Sequence, residues 1–282
     1  MKILLFLAAL FLQGTTIAMA SPSISADVEN IDLNLKNHEI AVTFLGLSDG
    51  EATLIQGSNG ENILVNVGGD GTDAEIDRLL SLYDVKEIRQ LILTKSKDLN
   101  YDRIKRLIFK YHIKQLIALP STLTTLTENL DLTKGVVVKS WVEGTKTLLL
   151  PEMTAEVQFA GNEMDEGLDI TLEFFIHRLF LMTSFSQRAE QRLLTKNLGD
   201  INIFKVPNSL TRASLSEQLI QFINPQISIL FAADEQHPDP NMVDDLHQSW
   251  SEVYFTQKHG TVTIKFTESN YEVFTIPFER ND

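Results

Sequence analysis

The residues best suited to chemistry in this sequence are six histidines and a few closely spaced carboxylates. No two histidines have the spacing of metal ligands on one element. Asp98 with Asp102, and Asp49 with Glu51, are the candidate carboxylate pairs for general acid–base catalysis. Asp98 also precedes an apolar helical pattern, where a carboxylate commonly caps the helix, and we favour that structural role.

The remaining reactive side chains offer little support for catalysis. His237 lies in the segment QHPDP, where it could contact a ligand in a cleft, although a loop position beside turn-forming residues is the simpler interpretation. The chain has no cysteine, which excludes disulfides, thiolate metal sites and a cysteine nucleophile. None of Ser184, Ser209 and Ser214 lies in a Gly-x-Ser-x-Gly motif, so no serine nucleophile is predicted.

The residues named above would be positioned by strands, which are indicated by short apolar runs. They occur at 40–45, 52–56, 63–67, 91–94, 115–119, 136–141, 155–159, 170–175, 179–182, 201–206, 227–231, 252–256, 262–266 and 271–276. Helical patterns occur at 76–83 and 104–111, and others are expected after Ser186 and Ser214 as N-caps. His259 precedes a glycine and is expected in a hairpin turn. The alternation predicts two mixed sheets packed together, with helices outside.

Seven segments of the chain resemble one known family. Residues 42–56, VTFLGLSDGEATLIQ, resemble the opening of the extracytoplasmic metallo-β-lactamase-like domain of ComEC-type DNA-uptake proteins, which reads roughly FLDVGQGDAxLIQ. Residues 63–69, ILVNVGG, resemble that family's ILIDTGG. Further similar segments follow in the same order at 91–94, 179–184, 202–208, 224–230 and 260–263. The resemblance spans about residues 40 to 267 and implies a four-layer αββα sandwich in one domain.

The resemblance also implies where a site would lie. In working relatives a cleft forms at the strand ends where the two sheets meet, and two divalent metals, usually zinc, activate a water for hydrolysis there. The family's first metal motif is THxHxDH, and residues 94–100 read TKSKDLN. A lysine ammonium has donors but no acceptor, and it repels a cation.

The other matched metal positions also carry different residues. The full substituted set is Asn66, Lys95, Lys97, Leu99, Asn100, Phe185, Asn208 and Ser209. Losses at three separate loops predict a catalytically inactive relative, a pseudoenzyme with no metal and no other cofactor.

The substitutions suggest a use for the cleft. Lys95 and Lys97 could project into it and pair with acids such as Glu51 or Asp98, or with an anionic ligand. The candidate lining residues are Lys95, Lys97, Asn100, Thr183, Asn208, Ser209 and His237. The simpler alternative is that both lysines extend into solvent from a polar loop.

The first twenty residues are typical of a secretory signal peptide. Lys2 precedes the apolar run 3–12, and Ala18 and Ala20 provide small residues before a cut. An uncleaved anchor is the alternative. We expect a signal peptide at 1–20, a polar leader at 21–36, a metallo-β-lactamase-like domain at 37–278 and a tail at 279–282. The protein is expected to be secreted, periplasmic or otherwise extracytoplasmic, with no membrane span after cleavage.

Charge and motifs leave two classes of function open. The chain has 24 basic and 38 acidic residues, a formal charge of −14, which disfavours nucleic acid as a partner. The first class is a secreted, non-catalytic pseudo-hydrolase that binds a protein or a small anionic ligand. The second is a phosphodiesterase- or nuclease-like hydrolase with a rebuilt site around Asp98, Asp102 and His237. A role in DNA uptake rests only on analogy of fold.

Overall fold

A computed structural model describes residues 30–97, 99–130, 135–208, 215–231 and 239–277. The strands are β1 (Ile40–Phe44), β2 (Thr53–Gly57), β3 (Asn62–Val65), β4 (Gln90–Ile92), β5 (Gln115–Ala118), β6 (Val137–Ser140), β7 (Lys146–Leu150), β8 (Met153–Ala160), β9 (Leu168–Phe174), β10 (His177–Leu181), β11 (Ile203–Lys205), β12 (Ile227–Leu230), β13 (Glu252–Phe255), β14 (Thr261–Phe266) and β15 (Tyr271–Ile276). The helices are α1 (Asp73–Leu82), α2 (Tyr101–Lys110), α3 (Leu123–Leu130), α4 (Gln187–Leu193), α5 (Glu217–Ile223), α6 (Pro240–Gln248) and α7 (Thr256–His259), and a 3₁₀ turn (Pro120–Thr122) leads into α3.

The strands form two mixed sheets. The first has eight strands in the order β15-β14-β1-β2-β3-β4-β5-β6, and the second has seven in the order β13-β12-β11-β10-β9-β8-β7. Neighbouring strands from β3 to β6 are parallel, as are those from β10 to β13. The carboxyl ends of parallel strands meet at one edge of each sheet, so the loops that follow them can form a common site.

Three buried apolar clusters hold the layers together. One lies between the two sheets and includes Phe44, Ile170 and Phe266. A second joins the outer face of the first sheet to α1 and α2, and a third joins the outer face of the second sheet to α4, α5 and α6. Each sheet is therefore covered on both faces, which gives the four-layer αββα sandwich.

The strand pattern was largely predictable. All fourteen predicted strands are present, with ends that differ by a few residues. Strand β7 was not predicted, because its first three residues are exposed or half-buried at the edge of the second sheet and lack a regular apolar alternation. Helices α3 and α6 were not predicted either.

Two helix caps differ from those predicted. Asn100, rather than Asp98, caps α2, because its Oδ1 accepts a hydrogen bond from the main chain of the first turn at 3.0 Å. Ser216, two residues after Ser214, caps α5 in the same way. Asp98 and Ser214 lie outside the described residues. Ser186 caps α4 as predicted.

One local prediction was wrong. His259 ends the short helix α7 instead of lying in a hairpin turn, and its Nδ1 accepts a hydrogen bond from Phe255 N at 3.0 Å.

Within the described residues, none of the helices combines the length and apolar character that a membrane span requires. The proposed signal peptide at 1–20, most of the leader and the tail lie outside those residues.

Candidate functional site

The two sheets are joined at the end where β4 and β10 finish. Leu168 N donates to Thr94 O at 2.8 Å, and Lys95 forms an isolated bridge with Gly167. A side chain at Gly167 would collide with this junction, since an added Cβ would lie 2.3 Å from Thr94 O. The close approach brings loops from both sheets into one polar cluster.

On the first sheet, the cluster is organised by Asn66, which follows β3. Asn66 has a left-handed backbone, φ 61°, a conformation that asparagine tolerates better than most residues. Its Nδ2 donates to Glu51 Oε1 at 2.9 Å, and its Oδ1 accepts from Thr94 N at 2.9 Å. The neutral amide thus serves as donor and acceptor at once, which an ionised aspartate could not do.

The cluster is linked across the sheets by an ion pair between Glu51 and Lys205. Both side chains are 5% exposed, and Lys205 Nζ contacts Glu51 Oε2. Lys205 Nζ also donates to Met182 O at 2.9 Å and lies 5.9 Å from the ring centroid of Phe231. Burial lowers the pKa of Lys205, and the nearby Glu51 carboxylate opposes that shift. Each charge therefore has protein partners in place of water: the opposite charge for both, Met182 O for Lys205 and the Asn66 amide for Glu51.

Lys205 was not among the predicted site residues. Lys95 and Lys97 were expected to pair with acids such as Glu51 or Asp98, or with an anionic ligand, but the cation beside Glu51 is Lys205. A lysine between apolar residues in a buried strand is rare unless it is paired, and this signal could have identified it.

A second carboxylate, that of Asp169, interacts electrostatically with Lys205. Asp169, on β9, is fully buried, and its Oδ1 accepts from Thr183 N at 2.6 Å and from Ser184 N at 2.9 Å. Burial raises the pKa of Asp169 to about 6, although these main-chain donors and Lys205 favour its charged form. Its Oδ2 has no hydrogen-bond partner among the described residues.

Four of the residues proposed for the cleft or for the lost metal positions lie in or beside this cluster. Asn66 contacts Glu51, and the half-buried Lys95 donates to the main-chain carbonyl of Asn208 at 3.3 Å. Thr183 is buried and holds Asp169 through its main chain. The cations Lys95 and Lys205 repel each other, and Asp169 offsets that repulsion.

The other proposed residues have different roles or lie outside the description. Lys97 is exposed, and Asn100 caps α2. Leu99 packs on the first sheet's helical face, and Phe185 packs on that of the second. The remaining two, Ser209 and His237, fall outside the described residues.

Comparison with known proteins identifies the architecture. Neither a protein-family model nor a curated protein matches the sequence. Among solved structures, YhfI from Bacillus subtilis superposes with a TM-score of 0.58 at 10% identity, covering 84% of this chain and 100% of that one, and is described as a metallo-β-lactamase fold protein. This chain has the metallo-β-lactamase fold.

Two further solved structures support the same fold. A diphosphatase of the PhnP family has a TM-score of 0.53 at 12% identity, covering 81% of this chain and 98% of that one. Zinc-bound PqqB from Methylobacterium extorquens has a TM-score of 0.52 at 9% identity, covering 73% and 85%. At these identities the likeness concerns the metallo-β-lactamase fold alone.

The described residues at the joined end do not fit the metal pair that this fold carries in working relatives. In the part of the chain that the structure describes, no three His, Asp or Glu side chains lie together as a possible metal site. Glu51 is paired with Lys205, and Asp169 is held by main-chain amides. Zinc prefers imidazole and free carboxylate ligands, whereas this cluster presents two ammonium groups.

Proposed function

We propose that this protein is a secreted, non-catalytic relative of ComEC-type metallo-β-lactamase-like domains, a pseudo-hydrolase that acts as a binding or interaction module. The single observation that carries the proposal is the buried ion pair of Glu51 and Lys205 at the joined end of the two sheets. A hydrolytic metal there would have to displace an ammonium group that already neutralises the carboxylate.

The charges of the cluster favour a protein over a small anion as the partner. Lys95 and Lys205 supply two positive charges, and Glu51 and Asp169 can supply two negative ones. A cluster that neutralises its own charges has little electrostatic attraction left for an anion. The proposed export rests on the signal-like sequence at 1–20.

The proposal predicts no metal-dependent hydrolysis. The purified mature chain, supplied with zinc or manganese, is expected to show no turnover of bis-p-nitrophenyl phosphate or single-stranded DNA above a protein-free control. Asp102→Asn is the matched variant, because Asp102 is an exposed residue of α2 and belongs to the alternative rebuilt site. Turnover that copurifies with the chain and is lost in Asp102→Asn would show that the protein is an enzyme.

A further inference from the structure

Trp250 occupies a position that the fold does not explain. It follows α6 with a left-handed backbone, φ 60°, and its indole side chain leaves it 93% exposed. Trp250 N donates to His247 O, and Ser251 N donates to Leu246 O, both at 3.0 Å. This pair of bonds is the helix-ending arrangement in which glycine is strongly preferred at the left-handed residue. Tryptophan therefore costs conformational energy here and gains almost no burial in return.

Trp250 is one of the residues that line a surface cavity of about 310 Å³ between α5 and α6. Its lining includes Trp250, Glu217, Gln221, Asn224, Asp245 and Gln248, and none of the described lining residues is basic. Gln221 Nε2 donates to Glu217 Oε1 at 2.7 Å. Asp245, on α6, is half-buried and lines the same cavity.

We propose that this cavity binds an organic cation, an ammonium or guanidinium group, between the indole face of Trp250 and the carboxylates of Glu217 and Asp245. Tryptophan is the aromatic residue that attracts cations most strongly, through the negative face of its ring. The two carboxylates add charge attraction, and the amides of Gln221 and Gln248 can bind polar groups carried by the same ligand.

The cavity is separate from the cluster around Lys205. Trp250 precedes the amino end of β13, which runs parallel to β11 and β12. Lys205 is at the carboxyl end of β11. The two sites therefore lie at opposite ends of the second sheet, and the cation site stands whether or not the protein is catalytic.

The test uses the two tryptophans as reporters. Their indole Nε1–H signals are resolved by NMR in the ¹⁵N-labelled protein, and Trp141, 5% exposed, is the internal reference. Choline and N-acetyl-arginine amide are titrated separately, to distinguish a free quaternary ammonium compound from a basic peptide side chain. The neutral isostere 3,3-dimethylbutanol and methyl glucoside are the uncharged comparisons. We expect at least one cation to shift the Trp250 signal saturably, with Trp141 unmoved.

Variants separate binding from folding. Trp250→Gly is expected to keep or raise the Tm, because glycine suits the left-handed position, and Trp250→Phe should retain part of the affinity. Asp245→Asn should weaken binding about two- to fivefold, since one ion pair near the surface is lost. For Trp250→Gly, binding is followed by calorimetry. The proposal would be overturned if neither cation shifted the Trp250 signal, or if the neutral isostere shifted it equally. It would also be overturned if only methyl glucoside shifted that signal, or if Trp250→Gly bound the cation with unchanged affinity.

Discussion

Replacing Lys205 by methionine is expected to lower the free energy of unfolding by about 3–5 kcal/mol. The change leaves Glu51 as a buried carboxylate without its cation, and it removes the donor to Met182 O. The remaining Glu51 carboxylate would keep the hydrogen bond from Asn66 but would have neither its cation nor water, which is why breaking one side of a buried ion pair is costly. Urea denaturation of wild type and variant measures the difference.

The pair itself can be isolated by a double-mutant cycle. Glu51→Leu combined with Lys205→Met removes both charges, and the double variant should lose much less stability than the two single losses added together. Lys86→Met is the matched control, because the Lys86–Asp84 salt bridge is exposed and should contribute far less. Strictly additive losses, or a Lys205→Met effect no larger than that of Lys86→Met, would show that the Glu51–Lys205 pair has little structural importance.

Asp169→Asn is expected to change how stability depends on pH. The pKa of Asp169 is raised from 3.8 to about 6 by burial. Well below pH 3.8 the carboxyl is protonated in both folded and unfolded chains, so it does not penalise folding. Between pH 3.8 and about 6 the unfolded chain releases this proton while the folded protein still holds it, and above about 6 the folded protein carries a buried charge that the unfolded chain keeps in water. The wild type therefore loses stability across this range relative to the asparagine variant.

The size of this stability difference follows from the pKa shift of Asp169. Two pKa units correspond to roughly 3 kcal/mol, which should appear as a growing advantage of Asp169→Asn between pH 4 and pH 7. The measurement is the free energy of unfolding of both proteins at several pH values, from which the difference profile is taken. Parallel profiles would contradict the raised pKa and the role of Asp169 as a buried titrating group.

Much of the fold could be predicted because it depends on local patterns. A buried strand such as β1 needs a short apolar run, and α2 needs apolar residues at helical spacing, and both signals are explicit in the sequence. The sequence signals were weaker for elements whose formation depends on their place in the fold rather than on local apolar spacing. β7 is an edge strand with exposed residues, and α3 is rich in threonine, a poor helix former.

The candidate site was only partly predictable. The unusual residues Asn66 and Lys95 could be selected because the motif resemblance gave their positions a meaning. The pairing of Glu51 with Lys205 joins residues that are far apart in the chain and belong to different sheets. Residue types alone do not specify which of several lysines reaches a given carboxylate, since that depends on how closely the sheets approach.

The metallo-β-lactamase fold supports both interpretations of function, because a fold provides a place for a site but not its chemistry. This chain is distinguished by the residue types that occupy the joined end of its two sheets. An amide stands at position 66, and ammonium groups stand at positions 95 and 205. We infer that the Glu51–Lys205 pair stabilises the junction of the two sheets.

The metal content of the purified mature chain tests this account most directly. The protein is equilibrated with zinc or manganese, dialysed against metal-free buffer and examined by inductively coupled plasma mass spectrometry. Substoichiometric metal is expected in both cases, since the carboxylates of the cluster are already engaged by Lys205 and by main-chain amides. One or two tightly held equivalents per chain, lost when Glu51 is replaced by leucine, would contradict it.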